Sequence, residues 1–366
     1  MPHSPSPPSP ARRWLSLLAI AALVAALAAA FVWAAGWWPT DRLTAQRFTD
    51  DIQAANGQVY PGFRRAHAKG ICVSGWFEGS AEGEALSMAR VFAQERTPLL
   101  GRMSIGGGSP YGLDPQARVR SMALQLIADD GQEWRMAMNS FPFFGAATVA
   151  EFDEQTRAGT PDPATGKPDP ARVAAFRAAH PAAQRFAEWA GSAPWPTSFA
   201  NTRYNGVNAF RFVNESGQMR HVRWSMVPRA EFAALTPAER EGADAGFLAA
   251  DLDRRLAAGP LRWDMVVTVA EAGDPIDDPS QPWPDARQQV SVGTVVIEHA
   301  VPQADGACRD VNFDPLILPV GVEGSSDPIL AARSAVYSVS FNRRLSEVAH
   351  GALAAPAAPA PKEDAP

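Results

Sequence analysis

The chain has 366 residues, of which 46% are hydrophobic and 20% are charged, and its formal net charge is −6 at pH 7. This length suits one large domain or two small ones, and the apolar content argues against a wholly disordered chain. The mildly negative charge argues against a nucleic-acid partner.

The N-terminal region carries one long uncharged segment. No residue from Trp14 to Trp38 is charged, which is enough for one membrane-spanning helix. Arg12 and Arg13 precede it, and a basic flank favours a cytoplasmic start with the remaining chain exported. The segment is longer than the about 7–15 apolar residues of a signal peptide, which favours an anchor that is not cleaved. The alternative is a cleaved signal with a soluble periplasmic product. We predict a single-pass inner-membrane anchor with a periplasmic domain.

Composition divides the chain into four parts. The Pro/Ser-rich and Ala/Pro-rich ends are typical of disordered tails, and the stretch at 158–170 is typical of a long surface loop. The predicted parts are a cytoplasmic tail at 1–12, a transmembrane anchor at 13–38, an exported domain at 39–350 and a disordered tail at 351–366.

Strand-like stretches recur along the exported domain. Turn residues at 129–131 and 214–217 predict two hairpins, and capping signals predict helices from Asp169, from Thr236 towards Leu256, and from Asp327. We predict an α+β fold, an antiparallel β-barrel with helical insertions and a C-terminal helix. The predicted strands are Ile71–Phe77, Met122–Ile127, Glu133–Met138, Ala209–Val213, Met219–Met226, Met265–Ala270 and Val290–Glu298.

The chain has two cysteines, Cys72 and Cys308. In an oxidising compartment they can pair, but two separate buried thiols remain an equal alternative because the sequence does not show their distance. Two cysteines make no convincing zinc or iron–sulfur site.

The last predicted helix carries an arginine and a tyrosine at helical spacing. Arg333 and Tyr337 are four residues apart and project from one face, and Arg344 returns to that face after about three turns. A guanidinium beside a phenol favours the phenolate by charge and hydrogen bonding. A phenolate suits ferric iron, and tyrosine is a recognised axial haem ligand. On this helix alone, a surface tyrosine is the alternative.

One histidine has suggestive neighbours. His67 lies between Arg64 and Lys69, immediately before the strand-like stretch at 71–77. This position predicts a histidine at the mouth of a barrel strand, among inward-facing side chains that line a cavity. Taken alone, a basic surface turn is the alternative.

Together these segments resemble the haem catalases. The distal-histidine motif of that family is similar to Arg64-x-x-His67-Ala68-Lys69-Gly70, and its proximal motif is similar to Arg333-x-x-x-Tyr337 with Arg344-Leu345. Further similar motifs are Arg102-Met103-Ser104, Asn139-Ser140-Phe141-Pro142-Phe143-Phe144, Trp283-Pro284, Val292-Gly293 and Phe313-Asp314-Pro315. The resemblance covers about residues 45–348, so it implies that 39–350 is one catalase-like haem domain.

The resemblance implies a role for each matching residue. Tyr337 would be the axial ligand of a ferric haem b, with Arg333 as its partner. His67 would be the acid–base residue, Asn139 would orient the peroxide, and Ser104 would hold the His67 ring. The arginines that match those pairing with haem propionates are Arg64, Arg102 and Arg344, and the aromatic haem-pocket wall is matched by Phe144 and Phe313.

The departures from full catalases point to a branch of the family. The sequence after the proximal helix is shorter than in full catalases, Gly106 stands where they carry a bulky aliphatic residue, and Arg118 stands where they carry an acidic channel residue. Both changes would widen or re-polarise the access route. The chain therefore resembles the small catalase-related peroxidases, which implies reduction of hydrogen peroxide or organic peroxides by an external electron donor.

Three alternatives remain at the level of sequence. A true catalase would release oxygen without a reductant, and a lipid-hydroperoxide isomerase would rearrange a lipid peroxide on the same fold. A non-enzymatic haem carrier would have no need of His67, Ser104 and Asn139 together. The oligomeric state is not indicated.

Overall fold

A computed structural model describes residues 9–35 and 43–352. Its contacts divide the chain into two units, one containing helix α1 (Pro10–Ala34) and one beginning at Ala45. Among the described residues, α1 is long and apolar enough to cross a membrane, a property that signal sequences share. It begins at Pro10 rather than at residue 13. Most of both predicted tails, and the end of the predicted anchor, lie outside the described residues.

The second unit alternates strands and helices in chain order. Its first half contains α2 (Ala45–Ala55), β1 (Gly70–Gly79), α3 (Ala81–Leu86), α4 (Arg90–Ala93), β2 (Thr97–Ile105), β3 (Arg120–Ile127), β4 (Glu133–Asn139), α5 (Val149–Ala158), α6 (Pro170–Ala179) and α7 (Pro181–Ser192). Its second half contains β5 (Trp195–Pro196), β6 (Tyr204–Asn205), β7 (Phe210–Val213), β8 (Met219–Pro228), β9 (Ala234–Leu235), α8 (Pro237–Glu241), α9 (Phe247–Ala258), β10 (Leu261–Val269), β11 (Gln289–Pro302), β12 (Val322–Gly324) and α10 (Pro328–Ala349).

The strands close into an antiparallel barrel. Its strands run in the order β1, β2, β3, β4, β6, β8, β10 and β11, and β11 pairs back with β1. Strands β7 and β12 extend the sheet beside β8. The predicted barrel with helical insertions and a C-terminal helix is confirmed, and both predicted hairpins form, between β3 and β4 and between β7 and β8.

The inside of the barrel is filled with apolar side chains. Trp134, Trp263, Met103, Met122 and Met138 are each at most 1% exposed and belong to one continuous core. His67 lines a cavity with Ser104 and Asn139, which lie on the other face of these strands from the core, and not among the inward-facing side chains as the sequence suggested.

The polar side chains of the same strands lie on the outer face. Ser104 pairs with Ser121, and Ser121 pairs with Asn139, on the neighbouring strands β2, β3 and β4. Directly paired residues share a face, and successive residues alternate between faces, so this row lies opposite the apolar core.

Three helices accompany the outer face. α10 packs against α2, and α2 packs against α5. The Phe48 ring of α2 meets the Phe152 ring of α5 edge-on, with 4.8 Å between their centroids. Asp327 caps α10 through a hydrogen bond from Ile329 N, as its Asp-Pro start predicts.

The helix predicted from Thr236 to Leu256 is two helices. Thr236 forms the predicted capping box, but α8 ends at Glu241 and α9 begins at Phe247. Lys69 Nζ donates to the carbonyl of Ala245 in the interruption, and Asp114 accepts a hydrogen bond from Leu248 N at the start of α9. Tertiary contacts therefore stabilise a break that the helix-start signal does not reveal.

A disulfide joins Cys72 on the outer face of β1 to Cys308, which lies 236 residues further along the chain. Both cysteines are buried beside Phe313. The sequence left the pairing open, and the structure forms it.

Candidate active site

All ten residues to which the resemblance gives a role line one cavity. The cavity has a volume of about 380 Å³ and lies between the outer face of strands β2–β4 and helix α10. From the barrel side and its loops come Arg64, His67, Arg102, Ser104, Asn139, Phe144 and Phe313, and from α10 come Arg333, Tyr337 and Arg344. The histidine and the tyrosine thus belong to opposing walls.

The backbone of His67 adopts a left-handed conformation, with φ at +54°. Such a conformation is unfavourable for a residue with a Cβ and persists where surrounding contacts hold it. Arg102 Nη2 donates to the carbonyls of His67, at 2.7 Å, and Ala68, at 3.1 Å. A Cβ added to Gly70 would lie 2.4 Å from Arg102 Cζ, so the glycine makes room for this arginine.

The His67 ring is held by a serine, but not by the predicted one. Ser121 Oγ lies 3.0 Å from His67 Nδ1 and donates to Asn139 Oδ1 at 2.6 Å. In the described part of the chain, Ser104 lines the same cavity without a hydrogen bond to the ring. The serine expected to hold His67 is therefore replaced by Ser121, its direct neighbour on strand β3.

Burial keeps His67 neutral. Desolvation of this half-buried ring lowers its pKa from 6.5 to about 4, and the nearby positive charge of Arg102 contributes next. A hydrogen bond with the Ile105 backbone opposes the shift, and the charges of Arg333 and Arg64 add to it. A neutral imidazole at neutral pH is ready to accept a proton.

Arg333 connects Tyr337 to the barrel. Its Nη2 donates to the Ala137 carbonyl at 2.9 Å and lies 3.5 Å from the Tyr337 hydroxyl. Its Nη1 donates to Asn208 Oδ1, and Asn208 donates to Asp327 at the start of α10. The guanidinium is therefore fixed beside the phenol, as the helical spacing predicted.

Arg64, Arg102 and Arg344 form a buried cluster of like charge. Burial lowers the pKa of each, and for Arg102 the pKa falls to about 9. Their main hydrogen bonds go to uncharged acceptors: Arg64 to the carbonyls of Cys308 and Val311, Arg102 to Gln303, and Arg344 to the carbonyl of Arg309.

This cluster has unused donors. Arg64 Nη1 and Arg344 Nε are buried without a hydrogen-bond partner, and Arg102 Nη1 has none among the described residues. Buried donors are normally paired. A ligand that brings carboxylates would satisfy them and neutralise the charge.

Aromatic rings enclose the rest of the cavity. Phe144 meets Phe152 of α5 edge-on, with 4.8 Å between their centroids, and the Arg64 guanidinium lies 5.9 Å from the centre of the Phe313 ring. Phe48, Ile52 and Phe152 of α2 and α5 also line the cavity. No sequence motif in these two helices indicates that they belong to the site.

Of the two residues expected to change the access route, Gly106 and Arg118, one lines the cavity and the other does not. Gly106 lines the cavity. Arg118 does not: its guanidinium lies between the rings of Trp189 and Trp195, at 4.5 and 4.9 Å, and donates to the Ala193 carbonyl. The expectation that Arg118 re-polarises the route is therefore not supported.

The position of Ser121 beside Asn139, though not its contact with His67, could have been found from the sequence. The hairpin turn at 129–131 fixes the register of β3 and β4, and counting outward from it pairs position 121 with position 139. The signal was the register of the hairpin, not a motif.

Comparisons with known proteins show the family of this chain. The family model described as Catalase matches residues 42–360. The chain is 39% identical to a catalase-related peroxidase from Synechococcus elongatus, over 91% of this chain and 96% of that protein. It is 33% identical to a catalase-related peroxidase from Mycolicibacterium paratuberculosis, over 86% of this chain and 98% of that protein.

Larger relatives match over part of their length. A catalase from Pseudomonas aeruginosa is 29% identical over 75% of this chain and 56% of that protein. The crystal structure of a fungal catalase superposes with a TM-score of 0.71 at 20% identity, over 79% of this chain and 60% of that chain, which shows the shared fold. The family model matches most of this chain, and the two catalase-related peroxidases match it over nearly their whole length. This chain therefore belongs to the catalase family, in its catalase-related peroxidase branch.

Proposed function

We propose that this protein is a haem peroxidase that reduces hydrogen peroxide or organic peroxides with electrons from an external donor. The observation that carries the proposal is the single cavity in which His67 and Asn139 belong to one wall and Tyr337, beside Arg333, to the other. An acid–base group facing an anionic iron ligand is the arrangement that peroxide cleavage at a haem requires.

The residues present fit a haem. Tyr337 would ligate ferric iron, and the unused donors of Arg64, Arg102 and Arg344 suit the two propionates of haem b. The walls formed by Phe144, Phe313 and the α10 side chains suit its apolar ring. The haem, when bound, supplies the iron to which the peroxide binds and the oxidising equivalents that the donor later quenches.

The protein's own groups move the protons. His67 accepts a proton from the bound hydroperoxide and returns it to the oxygen that departs, so the O–O bond breaks heterolytically. Asn139 donates a hydrogen bond that orients the peroxide. Over one turnover, two electrons and two protons reduce the peroxide to water and either a second water or an alcohol.

The access route supports peroxidase over catalase chemistry. Gly106 places no side chain in the cavity wall, and 3.3 Å separates a Cβ built there from Val119. A route without a bulky side chain admits larger peroxides and reducing cosubstrates. We expect an electron donor to reach the cavity past Gly106.

The enzyme itself tests the proposal. Full-length protein purified in detergent with haem is assayed in parallel for oxygen release from hydrogen peroxide and for peroxide-dependent oxidation of a dye. We expect dye oxidation with little oxygen. Oxygen release that needs no reductant would identify a true catalase instead.

The ligand assignment has a matched test. Tyr337→Phe removes the hydroxyl inside the cavity, whereas Tyr60→Phe removes an exposed one bonded to Gln58. We expect Tyr337→Phe to lose haem or change its visible spectrum, and Tyr60→Phe to keep both. An unchanged spectrum in the haem-loaded Tyr337→Phe protein would refute the assignment.

We further propose that α1 anchors the enzyme in the inner membrane with the catalytic domain in the periplasm. The apolar helix with Arg12 and Arg13 in its first turn and the disulfide between Cys72 and Cys308 support this placement. Protease added to spheroplasts should degrade the domain but leave cytoplasmic proteins intact. Recovery of the whole protein in the soluble periplasmic fraction would indicate a cleaved signal.

A further inference from the structure

One buried hydroxyl contacts two residues of the proposed active site at once. Ser121 Oγ is 3.0 Å from His67 Nδ1 and 2.6 Å from Asn139 Oδ1, and Ser121 is 7% exposed. A serine hydroxyl has a single hydrogen and two lone pairs, so it can donate to only one of these partners. The direction of this hydrogen-bond chain therefore determines the state of both neighbours.

The amide oxygen decides the direction. Asn139 Oδ1 can only accept, so it takes the hydrogen of Ser121. The Ser121 oxygen then faces His67 Nδ1 with a lone pair and accepts the hydrogen on that nitrogen. In a neutral imidazole, a hydrogen on Nδ1 leaves Nε2 with a free lone pair.

The reverse direction would disable both groups. If Asn139 presented its Nδ2 to Ser121, the serine would donate to His67 Nδ1 and the hydrogen of the ring would move to Nε2. The ring would then have no lone pair for a peroxide proton, and Asn139 would present an acceptor where a donor is required.

We propose that Ser121 is the positioning residue that fixes both the His67 tautomer and the orientation of the Asn139 amide. This inference rests on the proposed function, because it assigns the proton-accepting nitrogen of that site. Ser104, to which the family resemblance gives the task of holding the ring, lies on the adjacent strand as the direct partner of Ser121. Among the described residues, only the Ser121 side chain hydrogen-bonds to both the His67 and Asn139 side chains.

The barrel supports this serine rigidly. Ser121 and Asn139 are paired on β3 and β4. Asn205 Nδ2 donates to the Phe141 carbonyl just beyond Asn139, and Ser225 donates to Asn205 Oδ1 at 2.8 Å. The hydroxyl is therefore held on paired strands rather than on a mobile loop.

The test uses the full-length, haem-loaded enzyme and compares Ser121→Ala with Ser104→Ala. Partners that orient a site residue are typically worth roughly 10–100-fold, so we expect Ser121→Ala to lower kcat/KM by about that factor. Ser104→Ala should cost less than Ser121→Ala. Both proteins should keep the visible spectrum and melting temperature of the wild type.

Cyanide binding provides a readout that does not depend on turnover. Hydrogen cyanide loses its proton when it binds ferric haem, so a competent base on the peroxide side favours the complex. We expect the dissociation constant for cyanide to rise in Ser121→Ala by about the factor seen in kcat/KM. A merely structural role for Ser121 would leave cyanide affinity unchanged in protein of normal stability.

A matched pair covers the case in which Ser121→Ala folds poorly. Ser121→Thr and Ser121→Val have the same shape, and only threonine keeps the hydroxyl. We expect Thr to retain most of kcat/KM and cyanide affinity, and Val to lose both. Equal behaviour of Thr and Val would overturn the proposal, as would a loss in Ser104→Ala that equals or exceeds the loss in Ser121→Ala.

The two levels of inference fail separately. A wild-type protein that binds no haem or turns over no peroxide contradicts the proposed function. A wild type that does both, alongside a Ser121→Ala protein of equal kcat/KM and cyanide affinity, contradicts only the positioning role.

Discussion

The inner and outer faces of the same barrel strands carry side chains of different kinds. On the inner face of β2, β3 and β4 lie Met103, Met122 and Met138, each at most 1% exposed. On the outer face, one residue away along the chain, lie Ser104, Ser121 and Asn139.

The contrast shows how the fold separates stability from chemistry. Because strand side chains alternate with a period of two, a single strand supplies both the packed interior and the polar wall of the site. The inner face is packed with apolar side chains, whereas the outer face keeps a cavity that α10 covers. Substitutions on the two faces should therefore fail in different ways.

The largest expected effect is chemical and belongs to the outer side. His67→Ala should lower kcat/KM by roughly 10²–10⁴-fold, the usual contribution of a general acid–base residue. The haem spectrum and the melting temperature should stay near those of the wild type, because the ring hydrogen-bonds to the cavity wall and not to the core. Steady-state kinetics and thermal melts measure the two quantities on one preparation. A variant with full turnover would contradict the acid–base role of His67.

A substitution on the inner face should lower the stability of the fold and not the turnover of the folded protein. Trp134 is fully buried and meets the rings of Phe92, Phe212 and Trp224. Trp134→Ala should lower the free energy of unfolding by about 3–5 kcal/mol, because the barrel cannot collapse around the cavity left behind. Urea titration measures this loss. Kinetics on the folded fraction should remain near wild type, and a selective loss of turnover would break the division between faces.

The disulfide sharpens the comparison, because Cys72 lies on the outer face and yet should act on stability. Replacing both cysteines, Cys72→Ala with Cys308→Ala, should cost about 2–4 kcal/mol, since the bond restricts the unfolded chain over 236 residues. Urea titration of the double variant, with the wild type under reducing conditions beside it, tests this value. No change in stability would show that packing with Phe313 holds these segments without the bond.

The pH dependence should report the enclosure of His67. Its pKa is lowered from 6.5 to about 4, mainly by burial, and the neutral ring is the active form. The value of kcat/KM should therefore hold on acidification to below pH 6.5 and fall as the pH passes the lowered pKa. The unfolded chain binds the proton more tightly, so stability also decreases from pH 6.5 downward. A decrease of kcat/KM that is already half complete at or above pH 6.5 would mean that the ring is not desolvated.

The smallest effect is expected at Arg118. Its guanidinium stacks between Trp189 and Trp195 outside the cavity. Arg118→Gln should cost about 1 kcal/mol of stability, given the size of exposed cation–π contacts. Turnover of hydrogen peroxide and of a bulky organic peroxide should stay unchanged. A change in the preference between these two peroxides would show that Arg118 influences access to the cavity.

Sequence patterns predicted the parts of the molecule whose structure depends on residues close together in the chain. The Asp-Pro start of α10, the capping box at Thr236 and the two hairpins follow from backbone chemistry and appear as predicted. The spacing of Arg333, Tyr337 and Arg344 along one helix likewise brought them to one cavity.

The remainder depends on contacts between distant segments. The break between α8 and α9 is stabilised by Lys69 and Asp114, far away in sequence. Which face of the barrel carries the cavity depends on where α10 packs, and which serine holds His67 depends on the reach of the ring across β2 and β3. Motifs alone could not decide between Ser104 and Ser121, because both are serines on neighbouring strands of one face.

The cluster formed by Arg64, Arg102 and Arg344 links cofactor supply to protein abundance. Like charges buried together oppose folding, and Asp310 offsets only part of the charge of Arg64 and Arg344. A dianionic ligand that binds only the folded chain shifts the equilibrium by mass action. Each tenfold excess of free haem over its dissociation constant then adds about 1.4 kcal/mol to the stability of the domain. Cells poor in haem would hold more of this chain unfolded and exposed to proteases, so the amount of enzyme would follow the haem supply without any change in gene expression.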